Sequence, residues 1–128
     1  MKVAEFRTLQ AAAIKKKPPK YRNQGKDGYA STKEARRAQE LELAVKANVV
    51  RNLRRQVHFE LVPKQEGERS VVYIADFCYE ELVAYGQGPA FWEAVVEDVK
   101  SDATRKIASW PIKRKLMLQR YGIRIRET

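Results

Sequence analysis

Two runs of β-branched and aromatic residues, Val71–Tyr79 and Phe91–Lys100, alternate too regularly and are too short for helices, and they commit the chain to a sheet. Between them Ala84-Tyr85-Gly86-Gln87-Gly88-Pro89-Ala90 reads as a loop. Strand side chains alternate faces, so Val72, Ile74, Asp76 and Cys78 are expected on one face and Tyr73, Ala75, Phe77 and Tyr79 on the other. On the second run Trp92, Ala94, Val96, Asp98 and Lys100 share a face. An acid thus interrupts the first apolar row, and acid-x-lysine ends the second. An unpaired carboxylate in an apolar row is expensive, so Asp76 must be hydrogen-bonded, protonated, salt-bridged or bound to a metal. Antiparallel pairing of the two runs brings Asp76 and Asp98 together only in a suitable register, which the sequence leaves open.

The remaining elements flank this pair. Ser31-Thr32-Lys33-Glu34 has capping-box spacing, and Ala35, Ala38, Leu41 and Val45 make a stripe, predicting a helix from about Thr32 to Ala47. Val49–Leu53 and Val57–Val62 follow as short strands, with Pro63 ending the second and Gln65–Arg69 turning the chain back. Beyond Lys100, Ser101 or Asp102 caps a segment over Ala103–Ser109; Pro111 suits the first turn of a helix reaching Tyr121, and Gly122 stops it. Ile107, Ile112, Leu116 and Met117 are expected toward the core, and Ile123-Arg124-Ile125-Arg126 as an edge strand. At the other end, Val3–Lys16 fits a short helix, and Lys15–Gly28, rich in proline, glycine and basic residues, reads as a mobile basic arm. The expected organisation is an N-terminal helix and arm over residues 1–29 and a domain over residues 30–128. The expected class is α/β (α+β), with a mixed central sheet of about four to five strands flanked by helices.

A chain of 128 residues suffices for one buried core. No apolar run approaches the ~20 residues that span a bilayer and no signal peptide is apparent, so a soluble protein without a membrane partner is expected. Cys78, the only cysteine, allows no internal disulfide and fits a reducing cytoplasm. The net charge of +10 lies wholly in the first half, where residues 1–64 carry 16 Lys and Arg against 6 Asp and Glu. That asymmetry suits a polyanion-binding protein, and a merely solvated basic surface accounts for it equally well. The candidate nucleic-acid contacts are Lys15, Lys16, Lys17, Lys20 and Arg22 for phosphates, Tyr21 for stacking, Lys33 and Arg37 on the first strong helix, and Lys106 and Lys113 near the end. An ordinary linker explains the arm as well. His58 is the sole histidine and has no nucleophile near it, so no hydrolase triad is expected.

A carboxylate and an ammonium delivered together at a strand end can hold a divalent metal and stabilise charge on a phosphate. A plain Asp98–Lys100 salt bridge and a Glu34 that serves only as a cap are the simpler alternatives, and both stay open. The acid assignment can also slip by one residue to Glu97, although alternation favours Asp98 because Lys100 shares its face.

The order of an acid on a helix (Glu34), an acid within a strand (Asp76), acid-x-Lys on the next strand (Asp98, Lys100) and then a helix resembles the PD-(D/E)xK nuclease superfamily, in particular the small phage junction-resolving and transposon-end nucleases. The chain is similar as well to a family of short phage and prophage proteins of unknown function. That closer likeness rests on Lys20-Tyr21-Arg22-Asn23, Ser31-x-Lys33-Glu34-Ala35-Arg36-Arg37, Asn52-Leu53, Gln56, Tyr73-Ile74-Ala75-Asp76-Phe77-x-Tyr79, Val96–Lys100 and Tyr121-Gly122-Ile123. Ala75 stands where the superfamily has proline, Asp98 replaces the commoner glutamate, and the acids are separated by a longer insertion. The resemblance implies a restriction-endonuclease-like core and metal-dependent hydrolysis of DNA phosphodiesters, with Glu34, Asp76, Asp98 and Lys100 as the catalytic set. Asp76, Asp98, the Val99 carbonyl and Glu34 would hold Mg²⁺ or Mn²⁺. It also implies a phage- or prophage-encoded protein acting in the cytoplasm of a bacterial host, a homodimer if it cuts branched DNA symmetrically. A non-catalytic nucleic-acid-binding or regulatory protein on the same scaffold is the other expectation.

Overall fold

The computed structural model describes Val3, Phe6, Arg7 and residues 31–128. Of the expected first helix, Val3, Phe6 and Arg7 are described and helical; the basic arm lies outside the described residues. Helix α1 spans Thr32–Lys46 and starts where the Ser31 hydroxyl accepts the Glu34 N–H, satisfying one of the orphan donors of its first turn. Ala35, Ala38 and Leu41 form its buried stripe.

Three strands follow as an antiparallel meander, β1 (Val50–Val62), β2 (Val71–Val83) and β3 (Phe91–Asp98). The chain then passes through α2 (Asp102–Arg105) and α3 (Ser109–Tyr121), and β4 (Arg126–Glu127) joins β3 in parallel. A parallel neighbour requires such a crossover, and α3 supplies it. The result is an α+β fold, a mixed sheet in the order β1-β2-β3-β4 with helices packed on it.

The two short strands expected before Pro63 are one strand of 13 residues, bent at Asn52 and Gln56, whose φ angles are 54° and 52°. Left-handed residues inside a strand mark bulges and reset side-chain direction. At Asn52 the pairing slips, between Arg51 and Arg54; around Gln56 it does not, since Arg55 faces Phe77 and Val57 faces Ala75. Gln56 therefore lies opposite Asp76.

The two cores show what this reset does. Against α3 pack Val57, Phe59, Tyr73, Ala75, Cys78 and Val96, with Phe6. Against α1 pack Val50, Phe77, Tyr79 and Val95. Ala75 and Cys78 thus share one face, and Phe77 and Tyr79 the other, so strict alternation fails at Asp76. The expected row Val72–Ile74–Asp76–Cys78 does not exist as an apolar face, and Ile74 is 44% exposed. Alternation holds on β3, where Ala94 and Val96 meet the α3 side and Val95 the α1 side.

The C-terminal region differs in phase from the expectation. The segment expected over Ala103–Ser109 shortens to α2, and α3 begins at Ser109 with Trp110 buried. Trp110 and Met117, seven residues apart, define its inward face; Ile107 and Ile112 are exposed. Gly122, at φ 66°, ends α3, and Ile123 and Ile125 are buried. Full burial of Phe6, Phe59, Phe77 and Met117 contributes about 1.5–3 kcal/mol for each. No helix of the described residues is long and apolar enough to cross a membrane.

Candidate active site

The β2–β3 register answers the question that the sequence leaves open. Its last pair is Phe77–Glu97, and one step further sets Asp76 opposite Asp98. The two carboxyl groups are in hydrogen-bonding contact, and the Asp76 Oδ2 accepts the Val99 N–H at 2.8 Å. Asp98 is buried, beside the Tyr73 phenol on the α3 side of the sheet. Lys100 follows on the same face, its Nζ 2.9 Å from Asp98 Oδ2 and 4.2 Å above the Trp110 ring centre. Glu34, buried in the first turn of α1, accepts a bond from the Gln56 amide on Oε1 at 3.2 Å.

Burial is the main cause that pushes the Asp76 carboxyl up to about 8, and the hydrogen bond to Asp98, the Asp98 charge and the Glu34 charge add to it. The Val99 N–H opposes the shift without cancelling it. At neutral pH the pair therefore holds one proton, because two carboxylates in contact cannot both ionise cheaply. Burial and then the nearby Asp98 charge raise the Tyr73 phenol, which stays neutral. The Tyr73 hydroxyl and Asp98 Oδ2 are both buried without an aligned hydrogen bond, so the Lys100 approach is an ionic contact. The ammonium compensates Asp98 Oδ2, whereas a buried hydroxyl without an aligned partner, such as that of Tyr73, costs about 1–3 kcal/mol.

Among the described residues no group of three His, Cys, Asp or Glu side chains is arranged to hold a metal ion. The expected set is assembled in part. Asp76 and Asp98 touch, Val99 engages Asp76 through its N–H, and Glu34 bears on Asp76 through its charge. The donor chemistry fits a hard cation, since the groups are oxygens and a cation relieves the repulsion that the shared proton now screens.

Glu97 is engaged elsewhere. It is fully buried, bound by Arg37 through Nε at 2.7 Å and Nη2 at 2.9 Å and by the Tyr79 hydroxyl at 2.6 Å. Burial raises its pKa, but these hydrogen bonds outweigh it and hold the carboxylate below its ordinary value. Arg37, expected to face nucleic acid, is thus held by Glu97, with Glu40 on Nη1 at 2.9 Å. Lys33 donates to the main-chain oxygens of Lys100 at 2.9 Å and Thr128 at 3.1 Å, tying the start of α1 to the end of the sheet. Lys106 is exposed just past α2. Lys15, Lys16, Lys17, Lys20, Tyr21 and Arg22 lie outside the described residues.

Two further contributors, Tyr73 and Gln56, stand in the stretches that carry the family likeness but have no role assigned from the sequence, and a third, the buried acid Glu80, organises a separate cluster. Tyr73 backs Asp98. Gln56 holds Glu34 from a left-handed backbone position that a glutamine rarely occupies. Glu80, fully buried in β2, gathers Arg7 at 2.7 and 2.8 Å, Arg51 at 2.7 Å and Asn52 at 3.1 Å. Its bonds from Arg7 lead the causes that lower it to about 2. Beside the acid pair a groove of about 240 Å³ opens, walled by Tyr73, Ile74, Lys100, Ile107, Trp110 and Lys113.

Fold and site together define an α+β protein with a proton-sharing aspartate pair and a lysine gathered where two antiparallel strands part. The chain belongs to the family described as "Protein of unknown function (DUF1064)", which matches residues 15–126. No curated protein and no solved structure matches it.

Proposed function

We propose that this protein is a metal-dependent DNA endonuclease of the PD-(D/E)xK type that hydrolyses phosphodiester bonds in branched or irregular DNA. The observation that carries the reading is Asp76 set against Asp98 where β2 and β3 part, while Lys100 Nζ stands 2.9 Å from the same Asp98. Asp76 and Asp98 would hold Mg²⁺ or Mn²⁺, and that ion, when bound, supplies a Lewis acid and a bound water of lowered pKa. Lys100, fixed over Trp110, offers a charge that stabilises the negative charge developing on phosphate. Glu34 adds negative charge to the site and is oriented by Gln56; the Tyr73 phenol is a neutral neighbour of Asp98. The order of acids along helix and strands supports the same reading, and so does the basic first half, which attracts a polyanion. Action inside a bacterial host, from a phage or prophage gene, and a homodimer on symmetric branched DNA belong to this proposal.

The test is cleavage of supercoiled plasmid and of a four-way junction with Mg²⁺ or Mn²⁺, repeated with Asp76→Ala and Lys100→Ala. Cleavage by the parent and its loss in both variants supports the reading. Cleavage that survives both substitutions, or none with either metal, overturns it.

One observation favours a second proposal, a non-catalytic nucleic-acid-binding or regulatory protein. The Asp98–Lys100 contact, packed on Trp110, is also complete as a structural ion pair. Salt-dependent DNA binding with no metal-dependent cutting is the outcome that this reading expects.

A further inference from the structure

The groove beside the acid pair has a chemistry of its own. Its walls are apolar where Ile74, Ile107 and Trp110 stand and cationic where Lys100 and Lys113 stand. Ile74 and Ile107 are 44% and 53% exposed, although burial of either would be favourable. Lys100 belongs both to the groove and to the acid pair, so whatever lies in the groove reaches the site. The inner wall includes Tyr73, whose buried hydroxyl has no aligned partner, next to Asp98 Oδ2, which Lys100 engages at 2.9 Å.

We propose that this groove takes one unpaired nucleotide of a DNA strand, its base against Ile74 and Ile107 and its phosphate between Lys100 and Lys113. The volume of about 240 Å³ is below the ~300–1,000 Å³ of pockets that enclose a drug-sized ligand, and it suits one base. A stacked, paired base cannot present its face to a recess of this kind; a base in a flap, gap or branch can, without first being unstacked. Single-strand binding combines a flat apolar seat for the base with cations for its phosphate, and here Ile74 and Ile107 take the place that aromatic side chains commonly hold. The substrate class is therefore DNA with unpaired nucleotides next to a duplex. This inference rests on the endonuclease reading, whose substrate it narrows, and the experiment separates the two.

The experiment measures fluorescence anisotropy in EDTA, where cutting is stopped, with a labelled duplex and with the same duplex carrying a single-stranded flap. Poly-glutamate serves as an acidic-peptide competitor. The expected result is at least about tenfold tighter binding of the flap DNA, a preference of the size that a few stacking and phosphate contacts give. Ile107→Glu, an exposed position, reduces that preference to within about twofold while duplex binding persists. Lys113→Ala lowers the salt slope for the flap DNA by about one. Circular dichroism of both variants checks folding, and Ile74→Glu replaces Ile107→Glu if the latter unfolds. Equal binding of the two DNAs, a preference untouched by the substitutions, or displacement of the flap by poly-glutamate overturns the inference. If the preference holds but Mg²⁺ and Mn²⁺ bring no cleavage, the groove stands and the endonuclease reading fails; cleavage without preference gives the reverse.

Discussion

Asp76 lies opposite Asp98 where β2 and β3 part, and their carboxyl groups share a hydrogen bond in which one of them is protonated at neutral pH. The pairing follows from register. Once Phe77 pairs with Glu97, the next pair along consists of two acids, and neither can turn away because each is hemmed in, Asp98 by Tyr73 and Lys100 and Asp76 by Val99.

The shared proton gives stability a pH dependence of known sign. Asp76 titrates near 3.8 when unfolded and about 8 when folded, so between those values the folded chain binds more protons than the unfolded one. Stability therefore falls as pH rises through that window. Urea unfolding at pH 5, 7 and 9 is expected to show a falling midpoint in the parent and a shallower fall in Asp76→Asn. Parallel curves would show that the proton is not held there.

On the endonuclease proposal, a divalent cation bound at the aspartates has to displace the same proton. Below pH 8, Mn²⁺ affinity is expected to fall about tenfold per pH unit, so the rise in melting temperature with Mn²⁺ is larger at pH 8 than at pH 6 and reverses with EDTA. Asp98→Asn removes the effect. Calorimetric titration in two buffers of different ionisation enthalpy reads the proton release directly, and no release would contradict the displacement.

Much of this arrangement is legible in the sequence, and the departures have definite causes. Alternation placed Asp98 and Lys100 on one face with Val96, and that is where they are, because β3 is regular. Alternation failed for Asp76, because Gln56 across from it adopts φ 52° and the pair changes face there. Nothing in a glutamine signals a left-handed backbone. The inward turn of Arg37 was equally hidden, since its partner Glu97 is 60 residues away and only the fold brings them together. Ile112, expected inside, is exposed, because the start of α3 at Ser109 sets the phase that buries Trp110 instead.

The Arg37–Glu97 pair is structural and its loss is expected to be severe. Glu97→Leu leaves the Arg37 guanidinium, about a quarter exposed, facing an apolar wall, and removal of one partner from a buried pair costs about 3–5 kcal/mol. Arg37→Met with Glu97→Leu is expected to cost much less than the sum of the single changes. Additive losses in urea unfolding would mean that the two side chains do not depend on each other.

Glu34 is set by Ser31, which caps its own N–H at 3.1 Å, and by Gln56, which bonds its carboxylate at 3.2 Å. Ser31→Ala removes the cap and is expected to cost about 0.5–2 kcal/mol and, on the endonuclease proposal, to lower cleavage because the first turn of α1 loosens. Glu34→Gln separates charge from position, since it keeps the shape and removes a buried charge, so stability is expected to hold or rise. If the charge serves the metal site, metal-dependent cleavage falls at least about tenfold and the Mn²⁺ concentration for half-maximal rate rises, as for outer partners of metal ligands. Gln56→Ala is expected to act in the same direction and more weakly. A Glu34→Gln protein with unchanged cleavage and unchanged Mn²⁺ dependence would reduce Glu34 to a helix-start residue and leave the aspartates and Lys100 as the whole site.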